Sequence, residues 1–130
     1  METRKNEAGP PLTTFEQLDA WQAARQLAQE VYGLCRRDPL SRDFALCDQL
    51  RRASVSAMNN LAEGWESMHH AEKVQFYSYA RRSCGEVRSM TYLLVDNQLV
   101  TEPEQESLKK SCIHTGKLIS GLIRSLSRHV

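Results

Sequence analysis

The sequence lacks any apolar run near the ~18 residues that a membrane-spanning helix requires, so no helical span is expected. It also lacks an excess of either charge. Seventeen Lys and Arg face sixteen Asp and Glu, a formal net charge of +1. No global field therefore argues for a polyanionic partner, which leaves room only for a local basic patch. None of the four cysteines, Cys35, Cys47, Cys84 and Cys112, forms a C-x-x-C pair, so the ligand spacing of a zinc site is absent. Nothing matches G-x-S-x-G, a phosphate-binding P-loop or G-x-G-x-x-G, which removes the usual signals of a serine hydrolase, a nucleotidase or a dinucleotide enzyme. A di-iron bundle needs two E-x-x-H motifs, and the sequence has only one such spacing, Glu66 to His69, so that pair is missing too. No segment alternates apolar and polar residues with period two, so no strands are expected. Met1 to Pro11 holds charges but no apolar stretch, unlike a signal peptide. Residues 1–14 are read as a disordered arm, and a reducing cytoplasm is the expected compartment.

What is present is helical in period. The 130 residues are 41% hydrophobic and 25% charged, enough for one domain with a core. Breaks fall at Pro10-Pro11, at Asp38-Pro39-Leu40, at Gly64, and at Thr101-Glu102-Pro103-Glu104. The last has the form of a capping box with proline in the first turn. Four helices are predicted over about residues 16–37, 42–63, 71–98 and 102–128, together filling a domain from 15 to 128. Their inward stripes are Ala24, Leu27, Ala28, Val31, Leu34 and Cys35; Leu46, Leu50, Ala53, Ser54, Ala57 and Leu61; Tyr77, Ala80, Cys84, Val87, Thr91 and Leu94; and Leu108, Cys112, Thr115, Ile119, Leu122 and Leu126. Each recurs at i, i+3, i+4 and i+7 or at heptad spacing. The cysteines lie on or beside these stripes and read as small buried hydrophobes. Helices of about 20 residues are about 30 Å long. The short connections cannot cross such a length, so neighbours should run antiparallel. The expected fold class is all-α, an antiparallel up-and-down four-helix bundle.

No residue set reads as catalytic. His69 and His70 are adjacent and cannot share a helical face; Cys112 and His114, two apart, also diverge. Glu102 and Glu104 suit a helix N-terminus better than acid–base work. The unusual segment is Gln49 to Gly64, QLRRASVSAMNNLAEG. On a helical projection Arg52, Ser56, Asn59 and Glu63 form a polar row, with Gln49 and Asn60 at the border of the apolar face. A solvated face with a polar residue fixing register accounts for it, as does a polar network at a subunit contact or ligand groove.

At this segment the chain resembles the 23S rRNA-intervening sequence protein family, relatives of the accessory proteins of diversity-generating retroelements. Phe15, Leu18, Trp21, Gln22 and Ala24 fit the family's opening F-x-x-L-x-x-W-Q-x-A. Gln49, Leu50, Arg51, Arg52, Ala53, Ser56, Asn60, Ala62, Glu63 and Gly64 fit its second motif, and Phe76, Ala80, Ser83 and Glu86 its third. Met58-Asn59 departs from the proline and small residue of many relatives, so a proline kink in the second helix is not carried over. The resemblance implies a non-enzymatic bundle without cofactor, homopentameric in known relatives and associated with RNA or DNA. For the retroelement relatives it implies a reverse transcriptase as partner.

Two function classes remain open from the residues themselves. One is a nucleic-acid-associated accessory protein, with Arg81, Arg82, Lys109 and Lys110 as the first candidates for phosphate contact. The other is a structural protein–protein interaction oligomer with no nucleic-acid role. Self-association has its own sequence argument. On the third helix, Phe76, Ser83 and Met90, then Tyr79, Glu86 and Leu93, extend the inward stripe to roughly 200°, against the ~100° or somewhat more that a bundle helix buries. On the second, Phe44, Val55, Met58, Ala62 and Trp65 do likewise around Arg51. The expected ring interface is therefore Arg51, Val55, Met58, Trp65, Phe76, Tyr79, Glu86, Met90 and Leu93. A pairing of Arg51 with Glu86 would spare either from burial alone.

Overall fold

The computed structural model describes residues 10–127. Among these the chain is all helix and connection, with no strand. Four α-helices, α1 (Asp19–Cys35), α2 (Phe44–Glu66), α3 (His70–Asp96) and α4 (Glu102–Ser127), pack as a bundle around one core. Residues 1–9 and 128–130 of the expected arm and last helix lie outside the described residues. No described helix is long and apolar enough to cross a membrane.

The predicted stripes are the core. Their members are buried except Leu34, Leu46, Leu122 and Leu126, which are half-buried against it. The four thiols are free and buried. Two positions of the row read as extending the stripe past what one bundle buries join the core as well. Ser83 and Met90 are 8% and 7% exposed, because their row on α3 is the side that meets α2. Ser83 donates to Ser56 Oγ at 3.0 Å. Asn60 Nδ2 donates to that hydroxyl at 3.0 Å and to the Ser56 carbonyl at 2.9 Å. The polar border of the QLRRASVSAMNNLAEG segment is thus a network joining α2 to α3 inside one chain. It satisfies half-buried polar groups and fixes one register.

Helix ends differ from the expectation where tertiary contacts decide them. Gly64 does not close α2, which continues to Glu66. Its role is packing: a Cβ there would sit 2.5 Å from Tyr77 Cε1, so the missing side chain admits the buried ring. The exposed carbonyls at the end of α2 are met from the next helix. Lys73 Nζ donates to the Trp65 carbonyl at 2.8 Å and to that of Gly64 at 3.2 Å, which answers the orphan acceptors and the negative dipole end together. α1 stops at Cys35, two residues short of the expected Arg37. A short 3-10 turn, Leu40–Arg42, then buries Leu40 before Asp43 caps α2 by accepting from the Leu46 N–H. A second such turn, Phe15–Gln17, precedes α1 and carries its own capping box at Thr14 and Gln17. α3 ends at Asp96 in a Schellman arrangement: Leu99 N donates to Leu94 O and Gln98 N to Val95 O, with Gln98 at φ 58°. The capping box of α4 forms as read. Thr101 N donates to Glu104 Oε1 at 2.9 Å, and Glu104 N to Thr101 Oγ1 at 3.2 Å.

Candidate nucleic-acid interface

A crease of about 580 Å³ runs between α3 and α4. Four cations line it: Arg81 and Arg88 from α3, Lys117 and Arg124 from α4. Each pair is seven residues apart, two helical turns, so each helix presents its cations on one line. No carboxylate lines the crease, and none of the four makes an ion pair with a described residue. Arg81 Nη1 donates to Ser120 Oγ at 3.4 Å, bridging the helices. Farther along, Lys109 Nζ lies 5.8 Å from the centre of the Tyr92 ring. Gly85 and Gly116 form the middle of the floor beside Cys84 and Cys112.

Burial pushes both of those thiols up to about 12, so they are neutral near pH 7 and poor nucleophiles. A second hollow, about 380 Å³ at the α2–α3 end, is lined by Glu63, Glu66 and Glu72. The two hollows are opposite in sign, and only the first suits an anion. Among the described residues no group of three or more His, Cys, Asp or Glu is placed to hold a metal ion.

The four expected phosphate contacts do not form one patch. Arg81 enters the crease. Arg82, one residue on, is turned by about 100° and its guanidinium stacks 5.2 Å over Tyr79. Lys109 is half-buried and paired with Glu106 at 3.5 Å, while Lys110 is exposed. Arg88, Lys117 and Arg124, which line the crease with Arg81, are not among the expected contacts. Adjacent basic doublets catch the eye in a sequence, yet they diverge on a helix; the heptad spacing 81–88 and 117–124 was the signal that converges.

The expected interface residues divide as well. Arg51, Val55, Met58, Trp65 and Phe76 are half-buried, and Glu86 is exposed. Tyr79 and Leu93 are among the exposed large hydrophobics, with Phe44, Met68 and Tyr92. Met90 is withdrawn from any interface, since the chain's own core covers it. Arg51 and Glu86 form no ion pair within the chain. Arg51 instead lays its guanidinium 5.5 Å over the Tyr32 ring, and its buried Nε has no hydrogen-bond partner.

Residues 16–121 match the family of 23S rRNA-intervening sequence proteins. The chain belongs to this family. No curated protein matches it. Among solved structures it is similar to a protein of unknown function from the S23 ribosomal protein family of Bacteroides thetaiotaomicron. The TM-score is 0.75 at 17% identity, covering 81% of this chain and 95% of that one. That likeness carries the fold alone.

As a 23S rRNA-intervening sequence protein, the chain spends most of its motif residues on packing. Phe15 meets Trp21 edge-on with ring centres 5.2 Å apart; Ser56, Asn60 and Ser83 make the α2–α3 network; Gly64 admits Tyr77. The charged motif members Arg51, Glu63 and Glu86 have no ion-pair partner among the described residues. The basic crease lies outside the motifs, apart from the turn of α3 that carries them.

Proposed function

We propose that this chain is a non-enzymatic bundle subunit that associates with RNA or DNA by neutralising phosphates in the α3–α4 crease. The observation that carries the reading is the concentration of Arg81, Arg88, Lys117 and Arg124 around one hollow without a carboxylate, in a chain whose net charge is only +1. A lining of cations on helices can hold phosphates but has little means to read base edges, so binding is sequence-tolerant and salt-dependent. The test is a mobility-shift titration of RNA and DNA at low salt, with Arg88→Glu and Lys117→Glu as the informative variants. Retarded complexes that both variants abolish support the reading; no retardation by the native protein overturns it.

The same proposal includes an up-and-down bundle whose neighbouring helices run antiparallel. Level pairs support it. Gly64 stands beside Tyr77 and Ser56 beside Ser83 on α2–α3. Tyr92 stands beside Lys109 and Arg81 beside Ser120 on α3–α4.

A second reading, an oligomer that serves protein interaction alone, is favoured by a different observation. Phe44 and Met68 are 81% and 90% exposed, and Leu93 is 51% exposed on α3, apolar surface that a partner would cover. We infer self-association in either case, with the ring of five implied by the family resemblance. Light scattering decides it, since a monomer at micromolar concentration would remove the oligomer from both readings. A reverse-transcriptase partner rests on the resemblance alone.

A further inference from the structure

Glycine is among the poorest residues for a helix interior, yet α3 and α4 each place one in the lining of the crease. Gly64 shows what a required helical glycine looks like: a Cβ would strike the Tyr77 ring. Gly85 and Gly116 are different. A Cβ on either would meet nothing within 4 Å, so no packing inside the chain asks for their bare backbone. Both line the crease. With Arg81 level with Ser120, counting four residues inward along antiparallel helices brings Gly85 level with Gly116. The wall is therefore bare of side chains between Arg81 and Arg88 on one side, with Lys117 and Arg124 on the other.

A crease of this form suits a thin anionic chain better than a broad one. Helix axes in contact lie roughly 8–10 Å apart, so the trough between them admits one extended strand, whereas a duplex can only touch its rim. From Arg81 to Tyr92 α3 rises about 16 Å at 1.5 Å per residue, room for a few nucleotides along its face. Tyr92 stands beyond the crease lining, one heptad past Gly85 on α3; its ring is 46% exposed with the Lys109 ammonium 5.8 Å from its centre. An exposed ring beside cations is the pairing that stacks a base while its phosphate is held.

Building on the nucleic-acid reading above, we propose that the crease binds a single-stranded polynucleotide, its backbone seated on Gly85 and Gly116 and one base stacked on Tyr92. The experiment is fluorescence anisotropy of the full chain at low salt with two fluorescein-labelled probes, a 12-nucleotide oligouridine and an RNA hairpin duplex. The expected result is about tenfold tighter binding of the oligouridine. Gly116→Leu fills the floor without changing charge, and Tyr92→Ala removes the platform at an exposed position. Each should weaken the oligouridine complex about tenfold and leave the hairpin complex within twofold. Circular dichroism checks that Gly116→Leu keeps the native helix content, and Tyr92→Ala gives an independent reading if it does not. Equal affinity for both probes, with Tyr92→Ala inert and Arg88→Glu weakening both, overturns the single-strand inference and leaves the phosphate reading standing. Binding of neither probe overturns both.

Discussion

Gly64 and Gln98 show how one residue's side chain, or its absence, is set by a neighbour rather than by local preference. At Gly64 the Tyr77 ring occupies the space of a Cβ, 2.5 Å from Cε1. Gly64→Ala would gain helix propensity but force that buried ring aside, and overpacking typically costs 1–3 kcal/mol. A net loss of about 1–2 kcal/mol in urea unfolding is expected. Gln98 is the reverse case. It holds φ 58° at the Schellman end of α3, a conformation that costs a non-glycine residue roughly 1 kcal/mol. Gln98→Gly should therefore raise stability by about 0.5–1 kcal/mol in the same assay. Neither position was legible in the sequence. Gly64 read as a terminator because a glycine after a helical run commonly is one, and the ring that explains it comes from another helix. Gln98 carries no signal for a left-handed position.

At the scale of elements, the stripes were legible and the ends were not. Six-residue apolar patterns on each helix predict the core because burial follows the 3.6-residue period directly. The ends depend on partners: Lys73 reaching back to the carbonyls of α2, Leu40 buried after α1. The N-terminus of α4 is the exception, since Thr101 and Glu104 form their capping box within four residues. The structure adds a further contact there. Arg37, just past α1, donates to both Glu104 carboxylate oxygens from Nη1 and Nη2, at 2.6 and 2.9 Å. These bonds, the Arg37 guanidinium first and then the Thr101 N–H, hold the Glu104 carboxyl at about 2, below its ordinary 4.5. The ionised form is favoured in the folded chain, so its contribution is complete above pH 4.5 and is lost as the pH falls toward 2. Glu104→Gln should thus be less stable than the native protein at pH 7 in thermal melts. The gap should narrow below pH 4.5 and close near pH 2; a gap independent of pH would refute the assignment. The crease was half legible. Arg81 was found as part of a doublet, while Arg88, Lys117 and Arg124 needed the heptad spacing to be read for cations as it had been for leucines.

For the whole molecule, the charge balance near zero conceals a division into a basic trough on α3–α4 and an acidic hollow at the α2–α3 end. Net charge alone would forecast weak salt dependence. The division forecasts more. Four cations engaging a single strand release counterions with a slope of about −0.7 each, so log Kd against log salt should have a magnitude near 3 per occupied crease. Removing Lys117 as Lys117→Ala should lower that magnitude by about 0.7 in anisotropy titrations from 50 to 200 mM salt. An unchanged slope would place the binding elsewhere.

The α2–α3 pair also has a consequence for time. Its two helices, 23 and 27 residues long, are joined through only Ser67, Met68 and His69. They are fastened at one end by Lys73 on the Gly64 and Trp65 carbonyls, at the middle by Ser56 and Ser83, and between these by Tyr77 in the notch of Gly64. All of those contacts span fewer than 30 residues, so little loop entropy is spent in making them. Such a hairpin is the natural nucleus for folding, with α1 and α4 docking onto it afterward. α4 also meets α1 through long-range contacts, Glu30 accepting from Ser107 and Ser111. Pulse-labelled hydrogen exchange should show amides of Leu50–Leu61 and Tyr77–Val87 protected first, and native-state exchange should find them opening last. Earlier protection of α1 or α4 would make the hairpin a late assembly rather than the seed on which the bundle grows.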